Sequence, residues 1–295
     1  MNDAVVLQPF SLPGVALARV SLKVSGLDRA LSFYRDHLGL KEIHREDDTA
    51  VLSASGNLPG QVVLQEHARG TPRPHGTTGL FHTAILLPDR SALARLLLRL
   101  IRRGWPLQGA AHHGVSEAIY LADPDGNGIE IYADLPREAW QRDNGFIRMV
   151  TEPLDIEGLL AQASPSEDRG ADPATKVGHI HLQVADLARS ERFYHGILGF
   201  DVTQRSFPGA LFLSAGGYHH HVGLNTWAGR GAPGPPEAAL GLSSFALVVP
   251  DPATWNLLKA RVTSAGIAGA DPADGMKGFL LRDPDGIGVE VVPAN

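Results

Sequence analysis

No cysteine occurs among the 295 residues, which removes disulfides, thiolate nucleophiles and cysteine-ligated zinc or iron-sulfur centres together. A metal held by this chain must use nitrogen and oxygen donors. Positive charge is also scarce. The 26 Lys and Arg residues against 32 Asp and Glu give a formal net charge of -6, and the basic residues are scattered, so nucleic acid is not an expected partner. Aromatic residues make up only 6% of the chain, which weighs against a purely aromatic drug-binding cleft. No run approaches the roughly 18 apolar residues of a membrane span, and the opening Met-Asn-Asp-Ala-Val-Val-Leu-Gln-Pro lacks the basic start and apolar centre of an export signal. No membrane association and a cytoplasmic location are therefore expected. Neither a Gly-x-Ser-x-Gly elbow nor a P-loop is present.

What the chain does contain is one pattern written twice. Arg19 to Leu40 and His179 to Phe200 share an alternating strand, a helix-compatible segment and the ending Phe-Tyr-x-x-x-Leu-Gly. The alternation over Ala16 to Val24 and Val177 to Val184 predicts half-buried strands, and Gly199 supplies a helix stop in the second copy. Short β-like runs follow, at 42–44, 50–54 and 62–65 in the first copy and at 202–205, 211–214 and 219–225 in the second. Further strand-helix segments start at Phe81 and Ser243. Each half closes on a turn and a strand, Asp123-Pro-Asp-Gly-Asn-Gly-Ile-Glu-Ile-Tyr132 and Asp283-Pro-Asp-Gly-Ile-Gly-Val-Glu-Val-Val292, in which Pro fixes φ and Gly accepts positive φ. The expected architecture is α+β, with four βαβββ units in two similar domains, 1–150 and 177–295. A polar linker over 151–176 joins them, with a short helix at Asp155 to Ala163 and the run Ser164-Pro-Ser-Glu-Asp-Arg. With 43% hydrophobic residues, both domains can have real cores.

Histidines concentrate on two of these segments. His179 and His181 are two residues apart on a strand and share a face, as His219 and His221 would, with His220 pointing the other way. Glu130 sits between Ile129 and Ile131, where an unpartnered buried carboxylate would cost several kcal/mol, on the order of what any unpaired buried charge costs, so a metal, an arginine or an exposed strand end must relieve it. His112 and His113 stand open between a place at the entrance to a site and a solvated loop. Tyr120 and Tyr218 stand open between hydrogen bonding to a substrate and ordinary packing. Trp227-Ala-Gly-Arg-Gly-Ala-Pro-Gly-Pro-Pro236 reads as a connecting loop.

The four units, the Phe-Tyr-x-x-x-Leu-Gly segments and the two Asp-Pro-Asp-Gly-x-Gly-x-Glu strands resemble the vicinal oxygen chelate superfamily of glyoxalases, bleomycin-resistance proteins and extradiol dioxygenases. The segments Val115 to Asp134 and Gly216 to Gly229 are similar to its two-domain, catechol-2,3-dioxygenase-like branch. The resemblance implies a metal cup between two units, with ligands from their first and last strands. Those positions are Arg19, His82, His179 and Ser244, and about Leu64, Glu130, His221 and Glu290. The second and third units together supply His82, Glu130, His179 and His221; Glu290 is the alternative carboxylate if each half forms its own cup. Arg19 cannot ligate, because guanidinium does not lose its proton.

The expected activity is that of a metal-dependent extradiol dioxygenase opening a catechol or hydroquinone-like ring with O2. Fe(II) is the first choice of divalent metal, with Mn, Ni or Zn as alternatives. His181 or His219 would move protons and Tyr218 would donate a hydrogen bond. The alternatives are a glyoxalase-like isomerase or thiol transferase, favoured if His221 is a fourth ligand, and a non-catalytic drug-sequestering protein. Substrate identity and a homo-oligomeric state stay open.

Overall fold

The computed structural model describes residues 10–163, 170–270 and 277–294. The linker run Ser164 to Arg169 lies outside the described residues. The first unit holds β1 (Ala16–Val24), α1 (Leu27–Ser32), β2 (Lys41–Glu46), β3 (Thr49–Ser53) and β4 (Val62–Glu66). The second holds β5 (Gly79–Leu87), α2 (Arg90–Arg102), β6 (Leu107–His112), β7 (Ser116–Ala122) and β8 (Gly128–Asp134). A two-residue hairpin, β9 (Arg142–Asp143) and β10 (Phe146–Ile147), and a short α3 (Ile156–Leu160) lead out of it. The third unit is β11 (Lys176–Gln183), α4 (Leu187–Glu191), β12 (Asp201–Gln204), β13 (Ala210–Ser214) and β14 (Val222–Asn225). The fourth is β15 (Gly241–Val249), α5 (Pro252–Ser264), β16 (Phe279–Arg282) and β17 (Gly288–Pro293). In that unit, among the described residues, a bridge between Ala270 and Leu280 stands where the others have a further strand. The helix predicted from Asp155 is α3, which Asp155 caps by accepting from Gly158 N at 2.9 Å.

Each sheet takes one unit from each half of the sequence. The eight-stranded sheet runs β12-β13-β14-β11-β5-β8-β7-β6 and joins units two and three; the seven-stranded sheet runs β16-β17-β15-β1-β4-β3-β2 and joins units one and four. The first strands meet antiparallel across the middle of each sheet, β5 on β11 and β1 on β15. Within every unit the first and last strands are parallel neighbours. Helix α2 buries Leu93, Leu97 and Leu100 at helical spacing, capped by Asp89 accepting from Ala92 N. One apolar core runs through both sheets and the helices. No helix among the described residues is long and apolar enough to cross a membrane.

The repeated motifs have repeated jobs. Tyr34 donates to Asp123 Oδ2 at 3.2 Å and Tyr194 to Asp283 Oδ2 at 3.0 Å, so the Phe-Tyr segment of each half's first unit is tied to the Asp-Pro-Asp-Gly turn of its second. The same carboxylates accept from the backbone two and four residues on, shaping the turn. Burial raises both carboxyls, Asp283 to about 6. Gly39 and Gly199, at φ 81° and 85°, end the helical segments as left-handed stops.

The two glycines of each turn are needed for different reasons. Gly126 adopts φ 83° with open space around it, whereas an added Cβ on Gly128 would fall 2.0 Å from the Phe81 carbonyl oxygen. Gly288 stands likewise 2.7 Å from the Ser243 oxygen. The last strand thus starts in close backbone contact with the first, and a side chain there would push them apart. Gly126→Ala should cost about 1 kcal/mol through φ alone. Gly128→Ala should cost about 3 kcal/mol through overpacking against backbone. Denaturant unfolding of the two variants checks this, with equal losses counting against the close-approach account.

Candidate metal centre

The pairing of β5 with β11 sets the site. His181 lies opposite His82 and His179 opposite Ala84, while in the parallel pair Ala84 is matched to Glu130 of β8. His82, Glu130 and His179 are thereby brought to one place, each offering a ligand atom within 4.8 Å of the others. All three are buried, at 6%, 3% and 1% exposure. Both imidazoles present Nε2 to the same carboxylate oxygen, His82 at 2.9 Å and His179 at 3.3 Å from Glu130 Oε2.

The electrostatics suit a cation. Burial alone would raise Glu130, but the two imidazoles together outweigh it and hold the carboxyl well below its usual range. Burial lowers His179 to about 4, against the opposing pull of Glu130, so its ring is neutral and keeps a lone pair at neutral pH. His82 Nε2 is buried without a hydrogen-bond partner despite its nearness to Glu130, because the geometry is off the line a hydrogen bond requires. An orphaned imidazole nitrogen and an ionised carboxylate converging in a dry pocket fit a divalent first-row metal.

His221 is not part of this set, and the expectation of a fourth ligand there is corrected by the strand register. Glu130 is matched to Ala84, two residues after His82; the residue matched to His181, two after His179, is Gly223. The fourth position therefore carries no side chain, and the His181 ring fills the space, 2.9 Å from where a Cβ would be. His221 precedes β14, has Nδ1 3.0 Å from Ser214 Oγ, and is lowered to about 3 by burial. It lines a separate cleft with Tyr218 and Arg137. By the same register the first-unit position is Val63, not Leu64.

Glu290 lies in the other sheet, matched to Ala246 as Glu130 is to Ala84. There Arg19 forms an ion pair with it and Ser244 donates to its other oxygen.

Of the residues proposed for proton transfer, His181 lines the cavity, but Asn225 Nδ2 donates to its Nε2 at 3.0 Å, so that lone pair is engaged. His219 and Tyr218 lie behind the cavity wall. His219 Nε2 is 3.0 Å from Asp134 Oδ1, and Tyr218 shares a 2.8 Å hydrogen bond with Tyr132 and donates to Asp134. His220, rather than its two neighbours, faces the cavity. The strand predicted from His219 starts only at Val222, after the left-handed pair Gly216 and Gly217, so strict alternation does not govern these histidines. His220 is buried, lines the cavity, and has its ring centroid 4.0 Å from that of His179. Its Nδ1 is 2.8 Å from His219 Nδ1. With His219 Nε2–H donating to Asp134 Oδ1, His219 Nδ1 accepts from His220 Nδ1–H, and His220 Nε2 is left with a free lone pair.

A second pair stands across the cavity. His113 Nδ1 is 2.7 Å from the Val150 carbonyl and must donate to it, so Nε2 accepts from Tyr120 Oη at 2.6 Å. Burial first, and the Glu130 charge second, raise Tyr120 and keep it a phenol. His112 lies outside the cavity lining. The cavity itself is about 320 Å³, floored by His82 and Glu130 and otherwise walled largely by apolar side chains such as Val115, Ile129, Phe212 and Trp227.

A family model, Glyoxalase/Bleomycin resistance protein/Dioxygenase superfamily, matches residues 16–131 and again 176–291. A catechol-2,3-dioxygenase of Bacillus subtilis (strain 168) is 44% identical over 267 residues, covering 89% of this chain and 92% of that protein. A biphenyl-2,3-diol 1,2-dioxygenase 3 of Rhodococcus globerulus is 29% identical over 119 residues, 40% of this chain and 63% of that protein. Among solved structures, glyoxalase I from Zea mays shares the fold with a TM-score of 0.55 at 17% identity, over 95% of this chain and 92% of that one. With both halves matched and a relative of this identity along most of its length, the chain belongs to the Glyoxalase/Bleomycin resistance protein/Dioxygenase superfamily.

Proposed function

We propose that the protein is an extradiol dioxygenase that opens the ring of a catechol-type substrate with O2, and that its metal is Fe(II). The observation that carries this reading is the convergence of His82 and His179 on Glu130 at the floor of an apolar, ring-sized cavity. The similarity to the Bacillus subtilis catechol-2,3-dioxygenase supports it. Two imidazoles and one carboxylate would hold the metal, which when bound supplies open positions for two adjacent phenolic oxygens and for O2. Gly223 at the fourth position removes the ground for a four-ligand, glyoxalase-like centre.

The remaining steps belong to side chains of this chain. His220 Nε2, with its lone pair fixed by the His219 and Asp134 chain, receives a phenolic proton and returns it to the opening ring. Tyr120, a phenol whose O–H donates to His113 Nε2, offers its lone pairs to a substrate hydroxyl and so orients it. Apolar walls exclude water from the charged floor, which strengthens every electrostatic interaction there.

Metal analysis after anaerobic purification, followed by catechol turnover, tests the proposal. One iron per chain and a ring-opened product are expected. Glu130→Gln and His179→Ala should lose both metal and turnover, while Glu290→Gln should keep the metal. Metal loss in Glu290→Gln but not in Glu130→Gln would move the centre to the other sheet, and tight aromatic binding with no metal would sink the dioxygenase reading. His220→Gln should retain iron and lower kcat by about 10²- to 10⁴-fold, the usual range for loss of a positioned acid-base group. Unchanged kcat would remove His220 from the mechanism.

A further inference from the structure

One wall of the cavity is built almost wholly of rings. Phe81 is 5.2 Å from Trp227 and 5.1 Å from His181; His181 is 5.5 Å from Trp227 and 5.6 Å from Phe212; and Phe207 bridges Phe212 and Trp227 at 6.3 and 6.2 Å, all between ring centroids. The wall begins at the metal set, where Phe81 lies 5.2 Å from His82 and Phe212 5.0 Å from His220. It ends at the surface, where Phe81 is 38% and Trp227 45% exposed. Large aromatics left that open at a cavity mouth are unusual unless something covers them in use.

The wall is held rigidly. Asn225 is fully buried and bonds in two directions, donating to His181 Nε2 at 3.0 Å and accepting from Trp227 N at 3.0 Å. Trp227 Nε1 donates to the Pro208 carbonyl at 3.1 Å. One amide thus ties the inner ring, His181, to the backbone of Trp227, and the Pro208 carbonyl holds the outer ring.

Size and charge say what the wall meets. An apolar cavity of about 150 Å³ is enough for benzene, and this one is about 320 Å³, so a dihydroxylated ring on the metal set leaves room of similar volume toward the mouth. Among the described residues the lining contains no lysine or arginine, and its only carboxylate is Glu130. Besides its histidines and Tyr120, the uncharged Gln108, Ser116 and Thr151 supply its polar character. A negatively charged substituent lying along this wall toward the mouth would be desolvated against apolar rings, with no lysine or arginine among the described lining residues to meet it.

We propose that the wall of Phe81, His181, Phe207, Phe212 and Trp227 is a specificity surface for an apolar alkyl or aryl substituent, so that the enzyme selects uncharged, apolar-substituted catechols over catechols bearing a carboxylate. This rests on the ring-cleaving reading for the placement of the diol, and on the wall's own geometry for the substituent. Trp227 is the outer specificity residue.

Anaerobic isothermal titration of the metal-loaded full chain with catechol, 3- and 4-butylcatechol and 3,4-dihydroxybenzoate tests it, together with initial rates for the same compounds in air. The tighter-binding butylcatechol should have a Kd at least about tenfold below that of catechol, from burial of its chain on the wall. The carboxylated compound should bind more weakly than catechol. Trp227→Ala should shrink the butylcatechol-to-catechol ratio by about tenfold, both in Kd and in kcat/KM. Binding of 3,4-dihydroxybenzoate as tightly as the butylcatechols, or an unchanged ratio in Trp227→Ala, overturns the proposal. Preferential butylcatechol binding with no ring opened would overturn the dioxygenase reading and support the wall; ring opening of all four compounds with equal kcat/KM would do the reverse.

Discussion

Everything at the candidate centre depends on how the first strands of two units pair across the middle of a sheet. The β5 and β11 ladder is antiparallel and carries two bulges, between Val177 and His179 and between His181 and Leu182. Between them the ladder is in register, so His82, paired with His181, and His179, two residues away, share one side of the sheet, with the His82 and His181 rings 5.0 Å apart. The parallel pairing of β5 with β8 then brings in Glu130. Neither half of the sequence contains a complete set, and the sheet makes one by joining unit two to unit three.

Burial converts that pairing into chemistry. An ionised carboxylate at 3% exposure is sustainable only with compensating partners, and the two imidazoles supply part of that compensation. The same dry surroundings keep His179 neutral and lower His181 and His220 well below the ordinary histidine range. Neutral rings are ligands and bases, whereas protonated rings are neither. The polar groups behind the cavity, from Asp134 through His219 to His220, then decide which nitrogen of His220 carries the proton.

How much of this the sequence displays follows from how local each signal is. The repeated strand-helix pattern and the two Asp-Pro-Asp-Gly-x-Gly-x-Glu strands are local, and they lead to the units and to Glu130. His82 and His179 follow once the repeat is aligned. The His219 to His221 run misleads because its alternation is broken by a bend after two left-handed glycines, and counting by twos then puts the wrong imidazoles on the cavity side. Gly223 as the empty fourth position is invisible without the register, since a missing side chain leaves no motif. Tyr120 and His113 were legible as residues, but their pairing depends on the Val150 carbonyl, 37 positions from His113 in the chain. Trp227 sits in a Pro-Gly-rich segment that reads as a connection, and only the Asn225 bonds turn it into part of a wall.

The second sheet shows what duplication keeps and what it changes. Its central ladder has bulges at the equivalent places, between Leu17 and Arg19 and between Ser21 and Leu22, and its carboxylate Glu290 holds the register position of Glu130. Arg19 stands where the first sheet has His179, and Ser244 where it has His82. The buried carboxylate is therefore common to both sheets, and each must satisfy it. In one the answer is a fixed guanidinium with a serine hydroxyl, which closes the site with the protein's own cation. In the other the imidazoles of His82 and His179 meet the carboxylate instead, and among the described residues that is the set of donors that could hold a metal ion.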